Sequence, residues 1–174
     1  MTALDLVCRA ALCVVLLTAA TSKLGARAVA ELAGTLGAFA VPARLRPATA
    51  VAVTVLELAA GALLIAWPTS GYLLALGLFT AFTLGLGIAL RAGARVACRC
   101  FGASATPIGR AHVVRNALLI AVAGLGALAA NAESALDERW PWLLAGALLG
   151  GAITRWDDLA FLFGPPSTPG YRRP

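Results

Sequence analysis

The sequence predicts an all-α integral membrane protein: a four-helix transmembrane bundle with a fifth, shorter span and an interfacial amphipathic helix between spans one and two. Three observations predict it. Of 174 residues, 60% are hydrophobic and 13% charged, against about 45–50% and about 25% in soluble domains, which leaves too little polar surface to cover a soluble fold. Apolar runs close to the roughly 20 residues that a helix needs to cross a bilayer recur along the chain. Many of the 18 glycines fall inside those runs, where small residues let helices approach closely in lipid. The same composition excludes a disordered chain, a coiled coil and a disulfide-rich secreted scaffold. The formal net charge of +6 is then a topology signal and gives no reason to invoke nucleic acid. The expected setting is the cell membrane, as a multi-pass protein whose first partner is the lipid bilayer.

Span one covers residues 4–22. No Lys or Arg precedes its apolar run, and the run has the length of a full span, so it reads as the first helix and not as a cleaved signal peptide. The segment Lys23–Pro47 is too long for a tight turn. Within it Arg27, Glu31 and Thr35 recur at i, i+4, i+8, while Val29, Leu32, Leu36 and Phe39 fill the other face. This is an amphipathic helix with an i,i+4 ion pair, stopped by Pro42 and lying in the interface over one end of the bundle. A connector role is preferred to a binding lid. Spans two, three and four cover residues 48–67, 71–90 and 111–130. The fifth, 140–156, is short and glycine-rich, with Trp140, Trp142 and Trp156 at its ends as in an interfacial aromatic belt. Its Gly146 and Gly150 form a GxxxG packing motif. Residues 1–156 thus form the transmembrane domain, and 157–174, ending in GPPSTPGYRRP, a tail unable to bury a core.

The chemistry concentrates in Cys98-Arg99-Cys100-Phe101-Gly102, between spans three and four. Two cysteines one residue apart face opposite sides of a helix, so they meet only in a turn or extended loop. A disulfide between them closes a very small, strained ring, which makes the pair a labile redox couple and not a structural staple. Arg95, Arg99 and Arg110, with the positive end of the following helix, favour thiolate over thiol. A redox pair ranks first, two inert loop thiols second, and a metal site with His112 third, since the spacing is poor for zinc and a fourth ligand is lacking. Cys8 and Cys13, five apart in span one, point away from each other and read as small buried hydrophobes.

Glu57 lies near the middle of span two, where a carboxylate needs a proton or a partner. Arg115, just inside span four, is the expected partner, and Asn116 beside it can hydrogen-bond across helices. A structural clamp and support of the redox site are equally weighted readings. His112 could shuttle protons, but a solvated loop histidine is preferred.

Ser22-Lys23-Leu24 closing span one, Glu57-Leu58-Ala59-Ala60-Gly61, Cys98-Arg99-Cys100-Phe101-Gly102 and Arg115-Asn116 form an ordered pattern. It resembles the methylamine-utilisation MauE family, in the wider DoxX-like group of redox-associated membrane proteins, over about residues 4–130. Arg99 stands where that family often has glycine, and the C-terminal span is extra. The resemblance implies maturation of methylamine dehydrogenase, whose small subunit is rich in disulfides, alongside a thioredoxin-like or other redox partner protein. In this reading Cys98 and Cys100 are the exchanging residues, and Arg99, Phe101, Gly102, Glu57, Arg115, Asn116 and Lys23 support them. A fold-level likeness to vitamin K epoxide reductase-type bundles makes a quinone a candidate electron acceptor without establishing that one binds.

Twelve of the 14 basic residues fall on one side of the predicted membrane, in the loops that follow spans one and three and in the tail. The positive-inside rule puts that side, with the CxC loop, in the cytoplasm. Disulfide chemistry belongs in the oxidising exterior. The side stays open, with the charge count the heavier of the two arguments. Two other functions stay in view: a non-catalytic membrane assembly subunit of a redox complex, and a small-molecule carrier using Glu57, ranked last because paired broken helices and repeat symmetry are lacking.

Overall fold

A computed structural model describes residues 2–93, 109–130 and 138–156. Among them the regular structure is entirely helical: α1 (Ala3–Thr21), α2 (Ala26–Thr35), α3 (Arg46–Ala66), α4 (Pro68–Arg91), α5 (Arg110–Ala129) and α6 (Trp140–Thr154), with short 3₁₀ turns at Leu36–Phe39 and Ala43–Leu45. Four of them, α1, α3 (with the turn before it), α4 and α5, are long and apolar enough to cross a membrane. The expected all-α bundle of four spanning helices is what forms. Helix α6 has 15 residues, short of the roughly 20 that span hydrocarbon without help.

The four long helices form an up-down-up-down ring in the order α1, α3, α4, α5, each packed on its neighbours. Neighbouring helices of the ring run antiparallel, as the approach of Leu64 to Gly71 and of Tyr72 to Gly126 shows. The tightest joins α3 to α4 through Trp67 alone, with Pro68 at the first helical position where its missing N–H is no loss. Gly71 makes this hairpin feasible, because a Cβ there would run into the backbone of Leu64. The core is a column of Leu12, Leu16, Leu64, Phe79 and Leu119, all at most 1% exposed.

Helix α6 lies outside the ring, against α1 and parallel to it. Gly146 meets Val7 and Ala10, and Gly150 meets Ala11 and Val14, at distances that leave no room for a Cβ. The GxxxG motif therefore does what its spacing predicts, bringing two helix backbones into contact where lipid offers no hydrophobic drive between them.

Helix α2 is the amphipathic element expected after span one. Leu32 and Leu36 pack on Ala50 of α3, with Val29, Phe39 and Val53 around them. Arg27 and Glu31 form the predicted i,i+4 pair, at 3.3 Å. Thr35, assigned to the polar face, is buried instead, its hydroxyl donating to the carbonyl of Glu31 at 3.1 Å. That bond satisfies the hydroxyl within the helix, so the residue can turn inward. The 3₁₀ turn that follows α2 ends where Ala40 turns left-handed, before Pro42. Phe39 then reaches α4, packing on Gly85 and beside Leu86 and Ala89. The end of the bundle that α2 covers, the capped end, holds the end of α1, the starts of α3 and α5, and the end of α4.

Candidate functional site

At the capped end the structure buries two opposite charges against each other. Lys23 and Glu57 are 2% and 1% exposed. The Lys23 ammonium donates to both Glu57 carboxylate oxygens, at 2.8 and 2.9 Å, and to the carbonyl of Ala19 at 3.0 Å. Among the described residues the ammonium thus meets three acceptors, as many as it has N–H donors. A buried pair offsets its desolvation only when such secondary hydrogen bonds are made.

This pairing corrects the expected one. Glu57 was assigned to Arg115, yet both of its oxygens are taken by Lys23. With flush helix ends Lys23 would lie at the surface and Arg115 nearest to Glu57. In fact Glu57 is 11 residues past Arg46, about 16 Å into α3, and it is level with the last turn of α1, since one ammonium touches both Glu57 and Ala19. Helix α1 stops well below the start of α3. The lysine stem folds back along α1 toward the pair, and α2 fills the step by packing on the protruding part of α3.

The first turns of α5 add three more buried polar side chains at the same end: His112, Arg115 and Asn116, at 2–3% exposure. They lie on the helix that packs between α1 and α4. His112 departs from the solvated loop position expected of it. The backbone N–H of Gly109 donates to its Nδ1 at 3.3 Å, which puts the proton of a neutral ring on Nε2. The side chain thus helps cap α5, and burial follows from that role. The amide oxygen of Asn116 has no hydrogen-bond partner among the described residues.

Cys98, Arg99, Cys100, Phe101 and Gly102 lie outside the described residues. The chain around them runs from Arg91 at the end of α4 to Arg110 at the start of α5, both at the capped end. Cys8 and Cys13 are unpaired. Cys8 sits in the apolar core, and the Cys13 thiol points at the carbonyl of Gly61 at 3.8 Å, as small buried hydrophobes do. Among the described residues no group of three His, Cys, Asp or Glu side chains could hold a metal.

A second buried polar centre, at the opposite end, was missed. Asp5 and Tyr72 are fully buried. The Tyr72 hydroxyl lies 3.0 Å from both the carboxylate and the backbone carbonyl of Asp5, and Arg9 pairs with the same carboxylate at 2.7 Å. Thr2 caps α1 here by accepting from the Asp5 N–H. The Tyr72 ring crosses the bundle over Gly126, whose missing Cβ leaves its space. Asp5 and Arg9 at i, i+4 inside an apolar run were the available signal; Tyr72 and Gly126 are distant in sequence and carried none.

No curated protein matches the chain, and no solved structure does. A family profile described as methylamine utilisation protein MauE matches residues 1–129, which takes in α1 to α5 and both buried centres and stops before α6. With four helices fit to span a membrane and that match over most of its length, the chain belongs to the MauE family of membrane proteins, linked to methylamine utilisation.

Proposed function

We propose that this protein is a membrane thiol–disulfide exchange protein that matures a partner protein, with Cys98 and Cys100 as the exchanging pair. The observation that carries the reading is the Lys23–Glu57 pair. It fixes the end of α1, and with it the start of the α2 cap, against α3 at the end of the bundle where the chain holding both cysteines begins and ends. Membership in the family is consistent with it. Supporting roles fall to Arg99, Phe101 and Gly102 in the loop and to Lys23, Glu57, Arg115 and Asn116 in the helices. Arg99 between the two cysteines and Arg95 beside them in sequence favour a thiolate over a thiol.

A partner thiolate attacks the Cys98–Cys100 disulfide, forming a mixed disulfide and releasing the other cysteine as thiolate. A second partner thiolate resolves the mixed disulfide, leaving an oxidised partner and a reduced Cys98/Cys100 pair. Two electrons and two protons then leave to an acceptor, either a quinone or a second disulfide protein. The carrier reading loses support, because the apolar column of Leu12, Leu16, Leu64, Phe79 and Leu119 lies between the two buried polar centres. The assembly-subunit reading is separated by experiment. Replacing one cysteine of the pair with serine traps a mixed disulfide with the partner on a non-reducing gel, and replacing both abolishes it along with maturation. Full maturation by the Cys98→Ser, Cys100→Ser double variant would reject exchange and leave an assembly role.

A further inference from the structure

At the capped end three guanidinium groups sit at the termini of three different spanning helices: Arg44 in the first turn of the second span, Arg91 closing α4 and Arg110 opening α5. All three are exposed, and no carboxylate pairs with any of them among the described residues. Leu24 and Leu45 beside the cap are also exposed, at 62% and 48%. The other end carries fewer free cations: there Trp67 and Trp140 are exposed at 68% and 64%, Arg9 is held by Asp5, and Arg139 alone among the described residues is an exposed arginine.

We infer that the capped end carries a binding surface for anionic phospholipid headgroups, formed by Arg44, Arg91 and Arg110. Depth and charge both favour lipid. Residues that end the hydrocarbon-spanning part of a helix lie at the level of the lipid phosphates, whereas a soluble partner protein would be met farther out. Arginine donors match phosphate oxygens in bidentate geometry. An amphipathic element with exposed leucines beside a basic ring is the combination that holds a surface to anionic lipid. The opposite end carries aromatic side chains suited to the interface of either lipid class. This inference does not depend on the thiol exchange proposed above.

The test uses the full-length protein in bilayers of mixed phosphatidylcholine and phosphatidylglycerol, extracted gently, with the retained lipid identified by native mass spectrometry. Phosphatidylglycerol is expected to be enriched over its share of the bilayer. Each of Arg44→Gln, Arg91→Gln and Arg110→Gln lowers that enrichment by about fivefold at low salt, and the triple variant by tenfold or more. Variants are compared only where their melting in pure phosphatidylcholine equals that of the wild type; the single variants serve if the triple one does not fold. Equal retention of the two lipids by the wild type, or enrichment that survives all three single substitutions, overturns the inference. So does thermal protection in detergent by inorganic phosphate alone equal to that given by phosphatidylglycerol, since the surface would then take the free anion.

Discussion

Two buried charges of opposite sign, 2.8 Å apart, decide how the capped end is held. Removing one partner leaves the other buried without its counter-charge. Glu57→Gln or Lys23→Met alone should therefore destabilise the protein by about 3–5 kcal/mol, and the double substitution Lys23→Met, Glu57→Leu by less than either, because no charge is stranded. Thermal unfolding in detergent of the four proteins checks this; additive effects would show that the pair is not a unit. At the other end Tyr72→Phe removes a hydroxyl from Asp5 and should destabilise by about 1–3 kcal/mol by the same measurement. Sequence showed that Glu57 needed a partner, since carboxylates at bilayer depth are rarely alone. It did not show which one, because the choice between Lys23 and Arg115 depends on how far α1 is recessed behind α3, a tertiary offset without a local signature.

Elements were more legible than their partners. The lengths of the apolar runs and the i, i+4 charges of α2 follow from local rules, and the structure reproduces both. The GxxxG of α6 also gave its role in advance, though not that α1 would be the partner. Its contact with α1 rests on two glycines, so Gly146→Leu or Gly150→Leu should release α6 while the four-helix ring persists. Limited proteolysis of the membrane-embedded variants should then clip the 131–139 connection faster, with little change in helical circular dichroism; unchanged cleavage would count against glycine-mediated packing. Inside the ring Gly126 is the corresponding position. Gly126→Ala forces a Cβ into the Tyr72 ring and should destabilise by about 1–3 kcal/mol. Combined with Tyr72→Ala, which vacates the ring's space, the same substitution should be nearly neutral, as a double-mutant cycle in thermal melts would show.

For the molecule as a whole, polarity is the organising feature. One end joins an amphipathic cap, a buried ion pair, the polar first turns of α5 and the helix ends at Arg91 and Arg110; the other is closed by Tyr72 and Asp5 and presents Trp67 and Trp140. Composition and charge count revealed that the chain is membrane-embedded and asymmetric. They overcounted the topology signal, since Lys23 is neutralised by Glu57 and Arg115 is buried, and neither is a free loop charge of the kind the positive-inside rule weighs. The proposed redox pairing of Cys98 and Cys100 is open to side-specific alkylation in sealed membranes, using Cys8→Ala, Cys13→Ala protein. Reporter cysteines at Arg27 on the cap and Ser70 at the opposite end mark the two faces in parallel variants. Cys98 and Cys100 should react only after reduction, and from the same face as the Arg27 reporter. Equal labelling before and after reduction, or labelling from the Ser70 face, would contradict it.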